Sequence, residues 1–115
     1  MLLGRHDIDP NKPDNQGRTP LWWAACNGEA GVVKMLLGRD DVNPEKLDTL
    51  GRGPLHCAAE NGYERVVEIF IRMGGVNAAK LDNQGRTALL SAWRNGHTGV
   101  VALLQTLAAT THSSD

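Results

Sequence analysis

The sequence predicts an all-α fold, a solenoid of stacked helix-turn-helix units with hairpin-like fingers. One observation is a phrase that recurs every 34 residues and is opened by Asp14, Asp48 and Asp82. The other is that each copy places a turn signal before two stretches whose apolar residues have helical spacing. A period of this size marks units that bury their apolar faces by stacking on each other. Because a stacked array presents an extended surface, the period favours binding over catalysis.

The first helix of each copy has recognisable start and stop signals. In the first copy, Thr19 can cap free amide groups, and Pro20 suits the first helical position because its missing N–H is not needed there. Asn27-Gly28 ends the helix, since glycine adopts the left-handed conformation at little cost. The equivalent helices are predicted near residues 54–61 and 88–95.

The second helix of the first copy begins near Ala30 and stops at Gly38. Its buried stripe is predicted to consist of Val32, Val33, Leu36 and Leu37. A turn then leads to the next copy of the phrase at Asp48. The equivalent helices are predicted near residues 64–73 and 98–108.

We expect one domain over residues 1–115, with a partial unit at 1–13 and full units at 14–47, 48–81 and 82–115. Residues 1–14 match residues 35–48 in register, so the chain begins near the end of a second helix without its partner helix. Such a cut exposes an apolar side that a polar capping unit would normally cover. The chain is therefore expected to be a fragment of a longer array, or else to have that face covered by another molecule.

The third copy has the features of a C-terminal cap. Trp93 stands at the position of Ala25 and Ala59 in the earlier copies, where its bulk should block close docking of a further helix pair. After Leu104 there is neither a glycine stop nor an Asn-Pro turn, so we expect a frayed polar tail rather than another finger.

Composition excludes several classes of function. The 12 Lys and Arg residues nearly balance the 13 Asp and Glu residues, so no global field attracts nucleic acid. No apolar run approaches the roughly 20 residues that cross a bilayer. Cys26 and Cys57 are too few for a disulfide framework, which predicts reduced thiols in a cytoplasmic or nuclear protein.

Catalytic signals are also missing from the sequence. His56 and Cys57 are neighbours on a predicted helix and should project about 100° apart, so they do not form a nucleophile–base pair. No Cys or His spacing is that of a zinc site, and no glycine-rich loop follows a strand to hold phosphate. We therefore predict no enzyme, no cofactor and no metal site.

Three stretches of the first copy resemble the ankyrin repeat: Gly17-Arg-Thr-Pro-Leu-Trp-Trp-Ala-Ala, Gly28-Glu-Ala-Gly-Val-Val-Lys-Met-Leu-Leu and Asp41-Val-Asn. The resemblance covers residues 1–109, with a period of 34 where the family usually has 33. The Gly-Arg-Asp-Asp-Val-Asn-Pro wording is similar to ankyrin arrays at the C-terminal ends of large fungal NACHT-type receptor proteins. The resemblance implies an ankyrin solenoid that acts as a non-catalytic protein–protein interaction module.

The resemblance further implies that the partner contacts the fingers and the inner face of the first helices. The matching positions are Asn15, Gln16, Arg18, Cys26 and Asn27, then Thr49, Leu50, Arg52, Glu60 and Asn61, then Asn83, Gln84, Arg86, Arg94 and Asn95. Trp23 adds an aromatic anchor of the kind that dominates interface energy. Positions that vary between copies suit specificity better than those that repeat, which favours Trp23, Leu50, Glu60 and Arg94.

Two columns of cations run through the copies, and they allow two interpretations. The columns are Lys12, Lys46 and Lys80, and Arg18, Arg52 and Arg86. They could form a basic strip that binds an acidic peptide or domain. Alternatively, each Arg pairs with the Asp four residues earlier and stiffens its own turn, which is the interpretation we favour because identical residues suit self-stacking.

Two further roles stay open. The exposed N-terminal face could stack on more repeats or on a second copy of the chain, which would make the role architectural. The resemblance also implies that Asn43 and Asn77, in the Val-Asn position of the family, could be substrates of an asparaginyl hydroxylase.

Overall fold

A computed structural model describes residues 10–73 and 80–113, and only the backbone of residues 107–113. Within these ranges the chain forms helices and turns, and no strand is present. The helices are α1 (Pro20–Cys26), α2 (Ala30–Leu37), α3 (Pro54–Asn61), α4 (Glu64–Met73), α5 (Ala88–Arg94) and α6 (Thr98–Ser113). The all-α class predicted from the sequence is confirmed.

The inner helices begin as their sequence signals predict. The Oγ1 atom of Thr19 accepts a hydrogen bond from the backbone N–H of Trp22 at 3.1 Å, and Thr87 caps α5 in the same way. Helix α3 has Gly53 at this position, so it relies on Pro54 at its first residue instead of a side-chain cap.

The helices form two layers along the array. Helices α1, α3 and α5 contact each other in sequence as the inner layer, and α2, α4 and α6 do the same as the outer layer. Ala25, Ala59 and Ala92 are fully buried in the inner layer, where a small side chain allows close approach of neighbouring helices. The outer helices supply larger core residues, among them Val33, Val67, Phe70, Val100 and Leu104.

The fingers join each other through hydrogen bonds that run along the array. The backbone N–H of Thr49 donates to the carbonyl of Gln16 at 2.9 Å, and that of Asn83 donates to Leu50 at 3.0 Å. The Asn83 side-chain amide adds a bond to the Thr49 carbonyl at 3.0 Å. Each finger is thereby fixed to the next, without a regular sheet among the described residues.

The two ends of the described array differ from its middle. On α2, Met35 is 64 % exposed and Val32 is exposed as well. At the equivalent positions of α4, which packs against α2, Val66 is buried and Ile69 is half-buried. At the other end Trp93 is 68 % exposed, although Ala25 and Ala59 at the equivalent positions are fully buried. Neither surface is covered by a helix of the described chain.

Helix α6 is longer than predicted. We expected it to end near residue 108 and to be followed by a frayed tail, but it continues to Ser113. The reason is that no glycine or proline interrupts residues 100–113, and nothing else in that stretch stops a helix. Residues 1–9, which hold most of the predicted partial unit, lie outside the described residues, as does Asn77. None of the helices in the described ranges has the length and apolar character needed to span a bilayer.

Finger stacking can be tested with two matched glycines. Gly51 and Gly85 both adopt left-handed backbone, with φ of +78° and +76°. A Cβ at Gly51 would meet the side-chain oxygen of Asn83 and lie 3.0 Å from its backbone nitrogen, whereas nothing lies within 4 Å at Gly85. We expect Gly85→Ala to lower the free energy of unfolding by about 1–2 kcal/mol through backbone strain alone. Gly51→Ala should lower it by about 1 kcal/mol more, because the bond from Asn83 to the Thr49 carbonyl is disturbed as well.

Urea denaturation of both variants measures this difference. An equal loss of stability in the two variants would mean that contact between neighbouring fingers contributes little to the array.

Candidate binding surface

Six of the predicted contact residues line one cleft between neighbouring fingers. This finger cleft is lined by Leu50, Arg52, Glu60, Asp82, Asn83, Gln84 and Arg86. Only Asp82 in this set was not predicted as a contact residue. The Leu50 side chain is 54 % exposed and is the apolar member of an otherwise polar lining. The structure thus brings together candidates from the second and third copies, while those of the first copy are not part of this cleft.

Each finger is closed by an aspartate that binds its own turn. The Oδ1 atom of Asp48 accepts the backbone N–H groups of Leu50 and Arg52, both at 2.9 Å. Asp14 and Asp82 make the same pair of bonds in their fingers.

The turn bonds also stabilise the ionised form of the carboxyl group. Desolvation would raise the pKa of Asp82, but the N–H groups of Arg86 and Gln84 outweigh it, so the pKa lies below its ordinary value. The Asp82 carboxylate is therefore ionised at neutral pH.

The three arginines of the column pair with these aspartates, as the favoured interpretation predicts, but their surroundings differ. Arg18 Nε lies 3.1 Å from Asp14 Oδ2, and its guanidinium lies 4.4 Å from the centre of the Trp23 ring. The Trp23 indole N–H also donates to Asp14 Oδ2 at 3.1 Å. Trp23, predicted as an aromatic anchor, thus contributes to its own finger while part of its ring stays exposed.

Arg52 is held between two carboxylates. Its Nη2 lies 3.2 Å from Asp48 Oδ2 and its Nη1 lies 3.2 Å from Glu60 Oε1. Glu60, predicted as a specificity residue, is therefore an intramolecular ion-pair partner in this structure. It projects from α3 toward the finger that precedes the helix.

Arg86 has the weakest pairing of the three. Its Nε lies 3.8 Å from Asp82 Oδ2, beyond hydrogen-bond distance, and this buried atom has no hydrogen-bond partner among the described residues. On α5 the position of Glu60 is taken by Arg94, which is exposed. The third copy thus places a second cation where the second copy has the carboxylate that holds Arg52.

His56 joins its own repeat to the next one through two side-chain contacts. Its Nε2 lies 2.9 Å from Ser91 Oγ and 3.4 Å from Asp82 Oδ2, so it links α3 to the next helix and finger. Burial lowers the pKa of His56, partly offset by the Asp82 carboxylate. In the first copy Trp22 takes this position, and its buried indole N–H has no partner among the described residues. No sequence signal pointed to Ser91, since Cys57 occupies the same position one copy earlier.

The two cysteines, predicted as separate reduced thiols, lie next to each other. Cys57 on α3 is buried and interacts electrostatically with Cys26 on α1, and both are free thiols. Asn61 Nδ2 donates to the Cys26 carbonyl at 3.3 Å. The contact was missed because the cysteines stand at different positions of their copies, and only helix stacking brings those positions together.

The asparagine candidates divide by what their side chains do. Asn27 and Asn95 bind the carbonyls of Trp23 and Ser91, the residues four positions earlier, so they close the ends of α1 and α5. The remaining candidates Asn15, Gln16, Thr49 and Gln84 are exposed, as are the column residues Lys12, Lys46 and Lys80. Asn43 is exposed as well and accepts the Glu45 N–H at 3.0 Å.

Within the described part of the chain, no three His, Cys, Asp or Glu side chains could hold a metal ion together.

The cysteine pair gives a test of the inner-layer packing. Burial, followed by the neighbouring Cys26, raises the pKa of the Cys57 thiol strongly, so its reactive thiolate is suppressed well above neutral pH. We expect iodoacetamide at pH 8 to label the half-buried Cys26 while Cys57 stays unmodified until urea unfolds the chain. Mass spectrometry of peptides from native and unfolded samples measures this. Labelling of Cys57 in the native protein at the rate found in urea would contradict the packing of α1 against α3.

Comparison with protein families agrees with this architecture. A family model described as ankyrin repeats in three copies matches residues 40–115, and a single ankyrin repeat model matches residues 16–49. A search of curated proteins returned no match. Ankyrin repeats are in general protein–protein interaction modules and are typically non-catalytic. Since the two matches together extend from residue 16 to residue 115, the chain belongs to the ankyrin repeat family.

Proposed function

We propose that the chain is a non-catalytic protein-binding module that holds a protein or peptide segment in the finger cleft. The observation that carries this proposal is the convergence of Leu50, Arg52, Glu60, Asn83, Gln84 and Arg86 on one cleft. A segment lying there would meet one exposed apolar side chain surrounded by charged and amide groups. This combination suits a protein segment, which presents both backbone amides and side chains of either kind.

The fixed shape of the cleft supports binding without large rearrangement. Its walls are held by hydrogen bonds between Asn83 and the Leu50 and Thr49 carbonyls and by the ion pairs of Arg52. A preformed site loses little conformational entropy when the partner binds. The binding energy is therefore available for affinity rather than for ordering the cleft.

The buried groups of α3 support a non-catalytic role. The Nε2 atom of His56 already contacts Ser91 and Asp82. The adjacent Cys57 is buried and the pKa of its thiol is raised. A nucleophilic cysteine needs a lowered pKa and access to its substrate. Neither condition is met at Cys57.

Selection from a displayed peptide library tests the proposal, with two matched leucines as probes. Leu50 lines the finger cleft and is 54 % exposed, while Leu81 is 56 % exposed and is not part of the cleft. We expect Leu50→Ser to weaken binding of the selected peptides at least about tenfold, and Leu81→Ser to leave it unchanged. Isothermal titration calorimetry measures both. If no peptide is enriched, or if Leu81→Ser weakens binding as much as Leu50→Ser, the finger cleft is not the binding surface.

Self-association is a second candidate function, favoured by the exposure of Val32 and Met35 on α2. On α4, which packs against α2, the equivalent residues Val66 and Ile69 are buried and half-buried, so a similar contact is available between copies of the chain. We expect a dimer that grows with concentration and is abolished by Met35→Glu, an exposed position that tolerates a charge in the monomer. Sedimentation velocity over a hundredfold concentration range measures this, and a monomer at every concentration would exclude the role.

A further inference from the structure

The third finger offers an unfilled position for a carboxylate, and this inference rests on the proposed binding function. We propose that Arg86 and Arg94 together bind the carboxylate of a glutamate or aspartate side chain in the bound segment. In the second finger the chain fills the equivalent position itself, with Glu60.

In the second finger, Glu60 completes the surroundings of Arg52. One guanidinium nitrogen of Arg52 lies 3.2 Å from Asp48 and another lies 3.2 Å from Glu60, so the side chain has a carboxylate on both sides. Glu60 is the seventh residue of α3, which begins at Pro54. The geometry shows that the seventh position of an inner helix reaches the arginine of the preceding finger.

In the third finger the same position carries the opposite charge. Arg94 is the seventh residue of α5, which begins at Ala88, and it lies 34 residues after Glu60. Arg86 therefore lacks the second carboxylate that Arg52 has. Its Nε is also without a hydrogen-bond partner in the described chain, although it lies 3.8 Å from Asp82. A buried guanidinium N–H without a partner carries a desolvation cost. The Arg86 side chain as a whole is 28 % exposed and lines the cleft, so an external carboxylate can approach the guanidinium group from there.

The charge around Arg86 identifies the acceptor. Arg86 lies near the single carboxylate of Asp82, and Arg94 adds a second cation at the position of Glu60, while Arg52 on the other side of the cleft is already paired with Asp48 and Glu60. Burial lowers the pKa of His56, so this residue adds no charge at neutral pH. At the third finger, Arg86 and Arg94 exceed the Asp82 carboxylate by one positive charge, which a single carboxylate neutralises and a dianionic phosphate would exceed. At the second finger, Arg52 against Asp48 and Glu60 leaves one excess negative charge, so an anion is favoured only beside Arg86 and Arg94. Planar guanidinium groups also match the geometry of a carboxylate.

The first finger does not repeat this arrangement. Its arginine, Arg18, lies against the Trp23 ring and pairs with Asp14 at 3.1 Å, and the position of Glu60 is taken by the uncharged Cys26. The three fingers thus hold their arginines in three ways: by an aromatic ring, by an internal glutamate, and through a carboxylate that the partner supplies. The asymmetry sets the register in which an acidic segment lies along the cleft.

Nuclear magnetic resonance of the arginine Nε–Hε groups in the full chain tests the proposal. The probes are N-acetyl-glutamate N-methylamide and, as a neutral control, N-acetyl-glutamine N-methylamide. We expect a saturable shift of the Arg86 signal with the glutamate probe, none with the glutamine probe, and none at Arg52. An N-acetyl-phosphoserine N-methylamide arm distinguishes the anions, and tighter binding of phosphoserine than of glutamate would overturn the carboxylate assignment.

Two variants interchange the charges at the equivalent positions of α3 and α5. Arg94→Glu supplies an internal carboxylate and should abolish the shift of the Arg86 signal with the glutamate probe. Arg94→Gln, which only removes the charge, should reduce that shift without abolishing it. Glu60→Arg should create a second saturable response at Arg52. Both positions are accessible to solvent, and the dispersion of backbone amide signals shows whether each variant is folded. Parallel linear shifts of all arginines would indicate an ionic-strength effect only and would overturn the proposal.

The selected peptides separate this proposal from the one on which it rests. Acidic peptides enriched by the wild type should bind Arg94→Glu at least about tenfold more weakly, the loss expected for a hydrogen bond between charged groups. If the selected peptides bind Arg94→Glu unchanged, the chain is a binding module but the carboxylate site is refuted. If no peptide is enriched, the proposed function fails, and the titration decides separately whether the two arginines bind a carboxylate.

Discussion

The carboxylate that closes each finger is the interaction on which the rest of the binding surface depends. Asp48 and Asp82 are buried, accept two backbone N–H groups of their own turn, and hold the arginine four residues later. Without this carboxylate, the part-buried amides of the turn would lose a charged acceptor, and hydrogen bonds to charged groups contribute about 1.5–3 kcal/mol each. The turn, the direction of the arginine and the position of the next finger all follow from it.

From that common base the fingers diverge through single residues on the inner helices. Glu60 and Arg94 occupy the same position of α3 and α5, yet Glu60 is a carboxylate that pairs with the arginine of its finger and Arg94 is a cation. The scaffold can therefore repeat while its surface chemistry does not. Specificity in such an array depends less on the conserved columns than on what lies beside them.

The fold was predictable from the sequence because local signals and the period agree. Helix ends are marked by interactions within a few residues, at Thr19, Thr87 and the Asn-Gly steps. The 34-residue period indicates that the units stack on each other. The candidate residues of the finger cleft came from the resemblance to the ankyrin repeat, and the period placed them at equivalent positions of each copy.

What the sequence did not reveal depends on contacts between different positions of the repeat, either within one copy or between neighbouring copies. The contact of Cys26 with Cys57, the bond from His56 to Ser91 and the occupation of Arg52 by Glu60 all join residues whose spacing is not a multiple of the period. The period identifies equal positions in successive units, but the side chains that meet across a junction are fixed by helix rotation and length. The extra turn of α6 was missed for a related reason, because its only signal is the absence of a stop.

Trp22 and His56 occupy the same position of successive copies, and this difference makes the two junctions of the inner layer respond differently to acid. Because burial lowers the pKa of His56, the folded chain resists its protonation, although Asp82 and Glu60 favour the charged form while Arg52 and Arg86 oppose it. Stability from this residue is complete above the unfolded value of about 6.5 and declines as the pH falls below it. Trp22 does not titrate, so mild acid loosens the array between α3 and α5 before it affects the junction of α1 with α3, a difference that amide hydrogen exchange would resolve.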